Sequence, residues 1–309
     1  MKQITDFIQA DDETNFIQCI RESNINLQLF RQNGSKKECV FCQCAYYGSC
    51  SCIRAAVAND IVCIHNDKNA SYFAASSNQI NALQFLNNLG QDFENAILGA
   101  IKYGHYQSFI WILENHYDTA YRNMKNCESL FNLAAQGGNI KIFQYLKREF
   151  QNEYVLEEQK YLKSNTTDST PLHQAIANNH LELAEFMLSQ HQTIKLTDST
   201  LLTLSIYNNN ISLFQMLLKF FDPHVIDSNT LMNCAIQSKN TDFIQLLVNQ
   251  YALKTNGLLF AAISSDSVDF VKSLLKTFPL NINEKNEYGI IPQLFSSNSS
   301  SSCCQNWKH

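Results

Sequence analysis

The chain has 309 residues, and 45% of them are hydrophobic, which is enough to build a continuous core. Its 23 basic and 28 acidic residues give a net charge of −5, and the scattered basic residues argue against a nucleic-acid partner. No run of about 18 apolar residues is present, and acidic side chains interrupt the N-terminus. We therefore expect neither a membrane-spanning helix nor a secretory signal, but an intracellular, cytoplasmic protein without a membrane partner.

Taken in chain order, the sequence repeats one pattern about every thirty residues. Each copy has a small or polar residue, which we call its anchor, between two helical segments. The nine anchors are Asp12, Gly48, Asn78, Gly104, Gly138, Asn179, Asn209, Lys239 and Asp266. A unit of this length cannot bury its apolar face alone, so the copies must stack on one another.

The residues around each anchor follow the periodicity of a helix. A small residue usually lies four positions before the anchor, although the first copy has Ile8 there. Apolar residues follow the anchor at two, four, five and eight positions, as in Ile211, Leu213, Phe214 and Leu217. No segment alternates with period two, which disfavours a sheet protein. The pattern predicts an all-α protein of about nine helix pairs, each a short helix, a tight turn and a longer helix.

One copy also matches a known family. Thr170-Pro171-Leu172-His173-Gln174-Ala175 fits the T-P-L-H-x-A signature of ankyrin repeats, and Gly104-His105 resembles their glycine turn. The sequence thus resembles the divergent, asparagine-rich ankyrin arrays of unicellular eukaryotes. The resemblance implies an ankyrin-like solenoid over residues 1–295 with a truncated last unit. The serine-rich composition of residues 296–309 predicts a disordered tail. Most copies lack the Thr-Pro pair and the loop glycine, which argues against the usual β-hairpin fingers.

The longest connection between copies spans residues 147–168. We interpret it as an extension of the preceding helix followed by a loop. The alternative is a functional insertion.

Six of the eleven cysteines are crowded into one stretch: Cys39, Cys42, Cys44, Cys50, Cys52 and Cys63. The spacing of Cys39 and Cys42 fits a zinc knuckle, and His65 could add a ligand, so a zinc-binding or redox module is one hypothesis. The repeat register supports the other hypothesis, because four of the six fall where other copies place core residues, and buried cysteine behaves as a small hydrophobe. We favour the core and expect no cofactor, but the sequence leaves both hypotheses open.

The histidines carry no catalytic pattern. By family resemblance His173 hydrogen-bonds loop groups, and we expect His105 and His180, which directly follow anchors, to brace turns. No serine elbow, glycine-rich phosphate loop or paired carboxylate motif is present in the sequence. We therefore expect no enzyme and assign no catalytic residue.

The resemblance implies binding on the concave side, where the two residues before each anchor face a groove. Eight of these residues are the candidates for contact with a partner protein: Tyr46, Tyr47, Lys102, Tyr103, Gln136, Asn178, Tyr207 and Gln237. Tyrosine gives a large contact area at low entropic cost. We thus expect a neutral, tyrosine-bearing groove on a monomeric scaffold or adaptor. The alternatives are that these residues merely cap turns, or that a catalytic or recruiting domain lies beyond the present ends.

Overall fold

A computed structural model describes residues 2–22, 30–32, 36–59, 61, 69–155, 170–190, 199–221, 227–251, 258–264 and 267–283. The chain divides into two units, Met1–Gln192 and Thr193–His309. The described residues form an all-α fold, as expected, with one short pair of strands. Residues 284–309 lie outside the described residues, and with them the predicted tail and most of the truncated last unit.

The first unit is built from helix pairs. Its helices are α1 (Lys2–Gln9), α2 (Glu13–Glu22), α3 (Val40–Tyr47), α4 (Cys50–Ala58), α5 (Ala70–Ser76), α6 (Ile80–Asn88), α7 (Ala96–Lys102), α8 (Tyr106–Asn115), α9 (Tyr117–Lys125), α10 (Leu130–Gly137), α11 (Ile140–Glu149), α12 (151–155), α13 (Pro171–Ala177) and α14 (Leu181–Ser189). The first helices α1, α3, α5, α7, α10 and α13 pack against one another in this order. The second helices α2, α4, α6, α8, α11 and α14 form a parallel row.

The second unit repeats the same arrangement. Its helices are α15 (Thr200–Tyr207), α16 (Ile211–Leu218), α17 (Ser228–Gln237), α18 (Thr241–Tyr251), α19 (Leu258–Ser264) and α20 (Val268–Thr277). The first helices α15, α17 and α19 pack in sequence order, and each contacts the second helix of its own pair. No described helix has the length and apolar character that crossing a membrane requires.

Each predicted anchor that the structure describes, except the first, is the residue at which the chain reverses between two helices. These residues have a positive φ: Gly48 (75°), Asn78 (60°), Gly104 (72°), Gly138 (69°), Asn179 (64°), Asn209 (56°) and Lys239 (57°). Glycine and asparagine tolerate this left-handed conformation best, which explains their recurrence. The first anchor was placed one residue too late, since Asp11 (φ 51°) adopts this conformation instead of Asp12. Asp266 lies outside the described residues.

The core follows the predicted register with one exception. The small residues four positions before the anchors are each 0% or 1% exposed: Cys44, Ala74, Ala100, Ala134, Ala175, Ser205, Ala235 and Ala262. Residues four, five and eight positions after each anchor from Gly48 onward are buried, as Leu213, Phe214 and Leu217 show; in the first copy Ile17 is half-buried. The position two residues after the anchor begins the second helix and is half-buried in most copies, while Val268 is 44% exposed. The buried stripe is therefore narrower than the sequence predicted.

Two elements were not predicted. Strands β1 (Phe30–Gln32) and β2 (Lys36–Glu38) pair antiparallel just before α3, although the sequence argued against such hairpins. The sequence between them contains Asn33-Gly34, a pair that strongly favours hairpin turns. Helix α9 is an extra helix between two pairs, and it packs against α7 and α8.

The long connection was predicted to continue the preceding helix. Residues 151–155 are helical, and Tyr154 packs its ring 5.0 Å from Phe131. Residues 156–169 lie outside the described part of the chain.

Candidate functional site

The turns of neighbouring pairs in the first unit are joined by hydrogen bonds. The His105 ring Nε2 lies 3.1 Å from the carbonyl oxygen of Ser76, and the His180 Nε2 lies 2.8 Å from that of Gln136. Both rings thus reach back to the preceding pair, which confirms the predicted turn-bracing role. Asn139 follows its anchor in the same way, and its Nδ2 donates to the Gly104 carbonyl at 2.9 Å.

The polar anchors hold the following pair as well. The Asp11 carboxylate accepts hydrogen bonds from the backbone N–H groups of Ser51 (3.0 Å) and Cys52 (3.1 Å) in the first turn of α4. The Asn78 Oδ1 accepts a bond from the Ser108 hydroxyl at 3.0 Å. These bonds satisfy groups that a helix N-terminus otherwise leaves unpaired. The turns therefore form a fixed edge along the stack.

His173 has a local role. The Thr170 hydroxyl oxygen accepts a hydrogen bond from the His173 backbone N–H at 3.1 Å and caps α13, and it lies 2.5 Å from the His173 ring Nδ1. The signature threonine and histidine thus fix the start of their own helix.

Burial lowers the pKa of the His105 ring below its usual value, and the hydrogen bond to Ser76 opposes that shift. The ring is therefore held in its neutral form.

The ends of the first helices carry six of the eight candidate binding residues along this edge. We call the surface formed by the C-terminal ends of α3, α5, α7, α10 and α13 the first-helix face. Tyr46 is 44% exposed and Tyr103 is 51% exposed, while Tyr47, Lys102 and Gln136 are half-buried. Asn178 is exposed beside the end of α13.

The side chains of the first-helix face interact with one another. The Tyr46 and Tyr47 rings meet edge to face with centroids 5.2 Å apart. The Lys102 Nζ lies 5.7 Å from the centroid of the Tyr103 ring. The contacts restrict the side chains and lower the entropy that binding would have to remove.

The remaining two candidates lie in the second unit. Tyr207 is 54% exposed, and its hydroxyl donates a hydrogen bond to the Gln237 Oε1 at 3.0 Å. A further hydrogen bond, to Cys234, raises the pKa of Tyr207. This pair gives the second unit a surface with the same tyrosine-and-amide chemistry.

Two residues predicted to face outward do not. Ser76 is 5% exposed, and its hydroxyl donates to the Phe73 carbonyl at 2.8 Å. Gly137 packs directly against the backbone of Ile101 and Gly104, so no side chain fits there. At both positions the first helix packs close to its neighbour α7, and the spacing of the anchors in the sequence does not indicate this.

The structure also adds residues that the sequence interpretation missed. Gln174 accepts a hydrogen bond from the Gln136 Nε2 at 3.0 Å and joins α10 to α13. Tyr72 is 7% exposed, and burial together with the neighbouring Tyr103 raises its pKa to about 12. Gln43, at the same repeat position as Gln174, is 2% exposed, and neither of its amide atoms has a hydrogen-bond partner among the described residues.

Charged side chains are almost absent from the first helices that follow α1, which itself carries Lys2 and Asp6. Lys102 is the one lysine, arginine, aspartate or glutamate on the described helices α3, α5, α7, α10, α13, α15, α17 and α19. The whole chain has 23 basic and 28 acidic residues. The helices after α1 that would line the expected groove are therefore nearly uncharged, and the groove itself stays a prediction.

Four described cysteines of the crowded stretch behave as core residues, whereas Cys50 is half-buried. Cys39, Cys42, Cys44 and Cys52 are each 0% exposed. The Cys39 and Cys42 sulfurs lie 3.1 Å apart, and Cys39 caps α3 by accepting from the Cys42 backbone N–H. Burial raises the pKa of Cys44 well above its usual value and that of Cys52 to about 12, so both remain neutral thiols.

A metal site of three or more His, Cys, Asp or Glu side chains is not found within the described residues. Cys63 and His65, which the zinc hypothesis requires, lie outside them. The burial of Cys39, Cys42, Cys44 and Cys52 is what fits the core hypothesis.

Comparison with known proteins agrees with this fold. The family model for ankyrin repeats (3 copies) matches residues 97–198 and 201–286, which is more than half of the chain. The chain therefore belongs to the ankyrin-repeat family, whose members are generally protein–protein interaction modules and typically not enzymes. The crystal structure of the human ASB11 ankyrin repeat domain is similar, with 16% identity, 71% of this chain and 98% of that chain covered, and a TM-score of 0.39. No curated protein sequence matches the chain.

Proposed function

We propose that this protein is a non-catalytic scaffold or adaptor that binds a partner protein through the first-helix face. The observation that carries the proposal is the position of Tyr46, Tyr47 and Tyr103. They lie at the C-terminal ends of α3 and α7, two first helices with α5 between them, and Tyr46 and Tyr103 are about half exposed. Exposed tyrosines on a fixed backbone are typical of binding hot spots.

The rigidity of this edge supports the proposal. The hydrogen bonds of His105 and His180 link successive turns, so the backbone that presents the tyrosines is ordered before a partner arrives. Preorganised surfaces lose less conformational entropy on binding. Rigid presentation needs no cofactor and no turnover, which fits a scaffold.

The proposal is tested by capture with the intact chain and a triple variant, Tyr46→Ala with Tyr47→Ala and Tyr103→Ala. Each tyrosine that acts as a hot spot contributes about 2 kcal/mol, so the triple variant should bind its partners more than tenfold more weakly. The measurement is quantitative mass spectrometry of the captured proteins, with circular dichroism to verify the fold of both baits.

A matched control removes exposed apolar side chains elsewhere in the first unit, through Val57→Ala, Leu89→Ala and Tyr117→Ala. These residues are 38%, 38% and 50% exposed and lie away from the first-helix face. The control variant should capture the same partners as the intact chain. Equal losses in both variants, or no loss in the tyrosine variant, would contradict the proposed face.

A further inference from the structure

We propose that the segment bound by the first-helix face is an extended, otherwise uncharged stretch of polypeptide that places one acidic side chain against Lys102. This inference rests on the proposed function and specifies the chemistry of its partner. Three observations carry it: the charge of the face, the surroundings of Lys102 and the amide groups beside it.

The first observation is that the first-helix face carries almost no charged side chains. Helices α3, α5, α7, α10 and α13 carry no acidic side chain and one basic side chain. A charged group that leaves water on binding needs an opposite charge, and without one it costs several kcal/mol. The face therefore selects against segments with several charges.

Helix dipoles do not change this conclusion. Each turn brings the C-terminal end of a first helix close to the N-terminal end of a second helix, as α3 and α4 show with Tyr47 and Cys50. The partial charges at these two ends are opposite and largely offset each other.

The second observation concerns Lys102. It is half-buried at the end of α7, and its Nζ lies 5.7 Å from the exposed ring of Tyr103. Among the residues that the structure describes, no carboxylate forms an ion pair with it. One carboxylate of a partner would meet a cation whose counter-charge is not supplied by any described residue. The tyrosine ring would shield the new ion pair from water and strengthen it.

The third observation is the chemistry of the neighbouring polar groups. Gln136 and Gln174 form an amide pair across α10 and α13, and Asn178 is exposed beside them. Amide side chains both donate and accept, so they match the N–H and C=O groups of a polypeptide backbone. An extended segment presents these groups along its whole length.

The length of the segment follows from the stack. Neighbouring helices pack about 8–10 Å apart, so the four intervals from α3 to α13 span about 32–40 Å. An extended chain rises about 3.3 Å per residue, so about ten to twelve residues cross the face. The acidic residue should lie near the middle, because α7 is the third of the five helices.

The experiment uses a displayed library of random twelve-residue peptides and the intact chain. Enriched peptides should carry no basic residue and a single Asp or Glu near their centre. Lys102→Gln should remove the preference for the acidic residue, and Lys102→Glu should replace it with a preference for Lys or Arg. Lys125→Glu is the matched control, since Lys125 is exposed on α9, and it should leave the selected sequences unchanged.

A selected peptide synthesised with a fluorophore provides the quantitative test. Lys102→Glu should weaken its binding at least tenfold. Raising the salt concentration from about 50 to 300 mM should weaken binding to the intact chain by less than about fivefold, because one ion pair is involved.

The possible failures can be told apart. Peptides that depend on Tyr46 and Tyr103 but carry several charges, or that bind Lys102→Glu unchanged, would overturn this inference and leave the proposed function standing. Failure to enrich any peptide would also overturn the inference, while tyrosine-dependent capture of folded proteins would still support the function. Peptides that bind the tyrosine triple variant as well as the intact chain would contradict both.

Discussion

Replacing Gly137 by alanine should reverse the usual effect of a glycine-to-alanine substitution in a helix. Gly137 is the last residue of α10, and its φ is not in the left-handed region. At an open helical position alanine is favoured over glycine by about 1 kcal/mol. Here an added Cβ would meet the Ile101 carbonyl oxygen in α7 and, at 2.6 Å, the Gly104 nitrogen in the turn that follows α7.

The magnitude follows from what must move. The atoms in the way belong to the backbone of Ile101 and Gly104, so they cannot turn aside as a flexible side chain would. Overpacking of this kind costs about 1–3 kcal/mol, and separation of α7 from α10 places the cost toward the upper end. After the gain in helix propensity is subtracted, the net loss in the free energy of unfolding is about 1–2 kcal/mol.

The assay is urea unfolding combined with native-state hydrogen exchange of the α7 and α10 amides. Asn208→Ala is the control, because Asn208 holds the same repeat position in the second unit, and it should change stability by less than about 0.5 kcal/mol. The α7 and α10 amides should exchange faster in Gly137→Ala. A variant as stable as the intact chain, or more stable, would refute the close contact between the two helices.

Three further predictions concern single side chains. Phe214→Ala should lower the free energy of unfolding by about 3–5 kcal/mol, because Phe214 is 0% exposed and its ring centroid lies 5.4 Å from that of Phe243. A loss below about 1 kcal/mol in urea unfolding would contradict the helix register of the buried residues. The pKa of His105 is lower in the folded chain than in the unfolded chain, so the unfolded chain binds a proton at a higher pH. The free energy of unfolding should therefore fall as the pH drops below about 6.5. His105→Asn should flatten this pH dependence of the melting temperature, and an unchanged slope would count against it. Gln43→Met should raise the free energy of unfolding by about 1 kcal/mol, because it removes an unpaired buried amide, and a loss of stability would show that the amide is paired.

The turns could be predicted because their chemistry is local. A left-handed residue after a short helix is usually glycine or asparagine, and the periodicity of the buried residues fixes its position. The error at Asp12 arose because two aspartates are adjacent and both make caps. Asp11 bonds to the next pair, whereas Asp12 accepts from the Asn15 backbone N–H in its own helix, which lowers the pKa of Asp12.

The features that were missed depend on contacts between segments. Helix α9 has no counterpart in the other repeats, so no register could indicate it. Its position is set by packing, with the Tyr121 ring stacked 5.4 Å from Phe150. The prediction that Ser76 and Gly137 face outward was wrong for a similar reason, since the distance between adjacent first helices is not encoded in the spacing of the anchors.

For the candidate binding residues, the sequence predicts which residues to test, and binding itself stays a prediction.

Hydrogen exchange of the intact chain, with and without a saturating selected peptide, tests the central claim most directly. Binding on the first-helix face should protect amides at residues 46–49, 77–79, 102–105, 136–139 and 177–180, which form the turns between the paired helices. The second helices α4, α6, α8 and α11 should exchange beyond their first turns as they do in the free protein. Protection confined to those second helices, with the turns unchanged, would contradict the claim that this face is the binding surface.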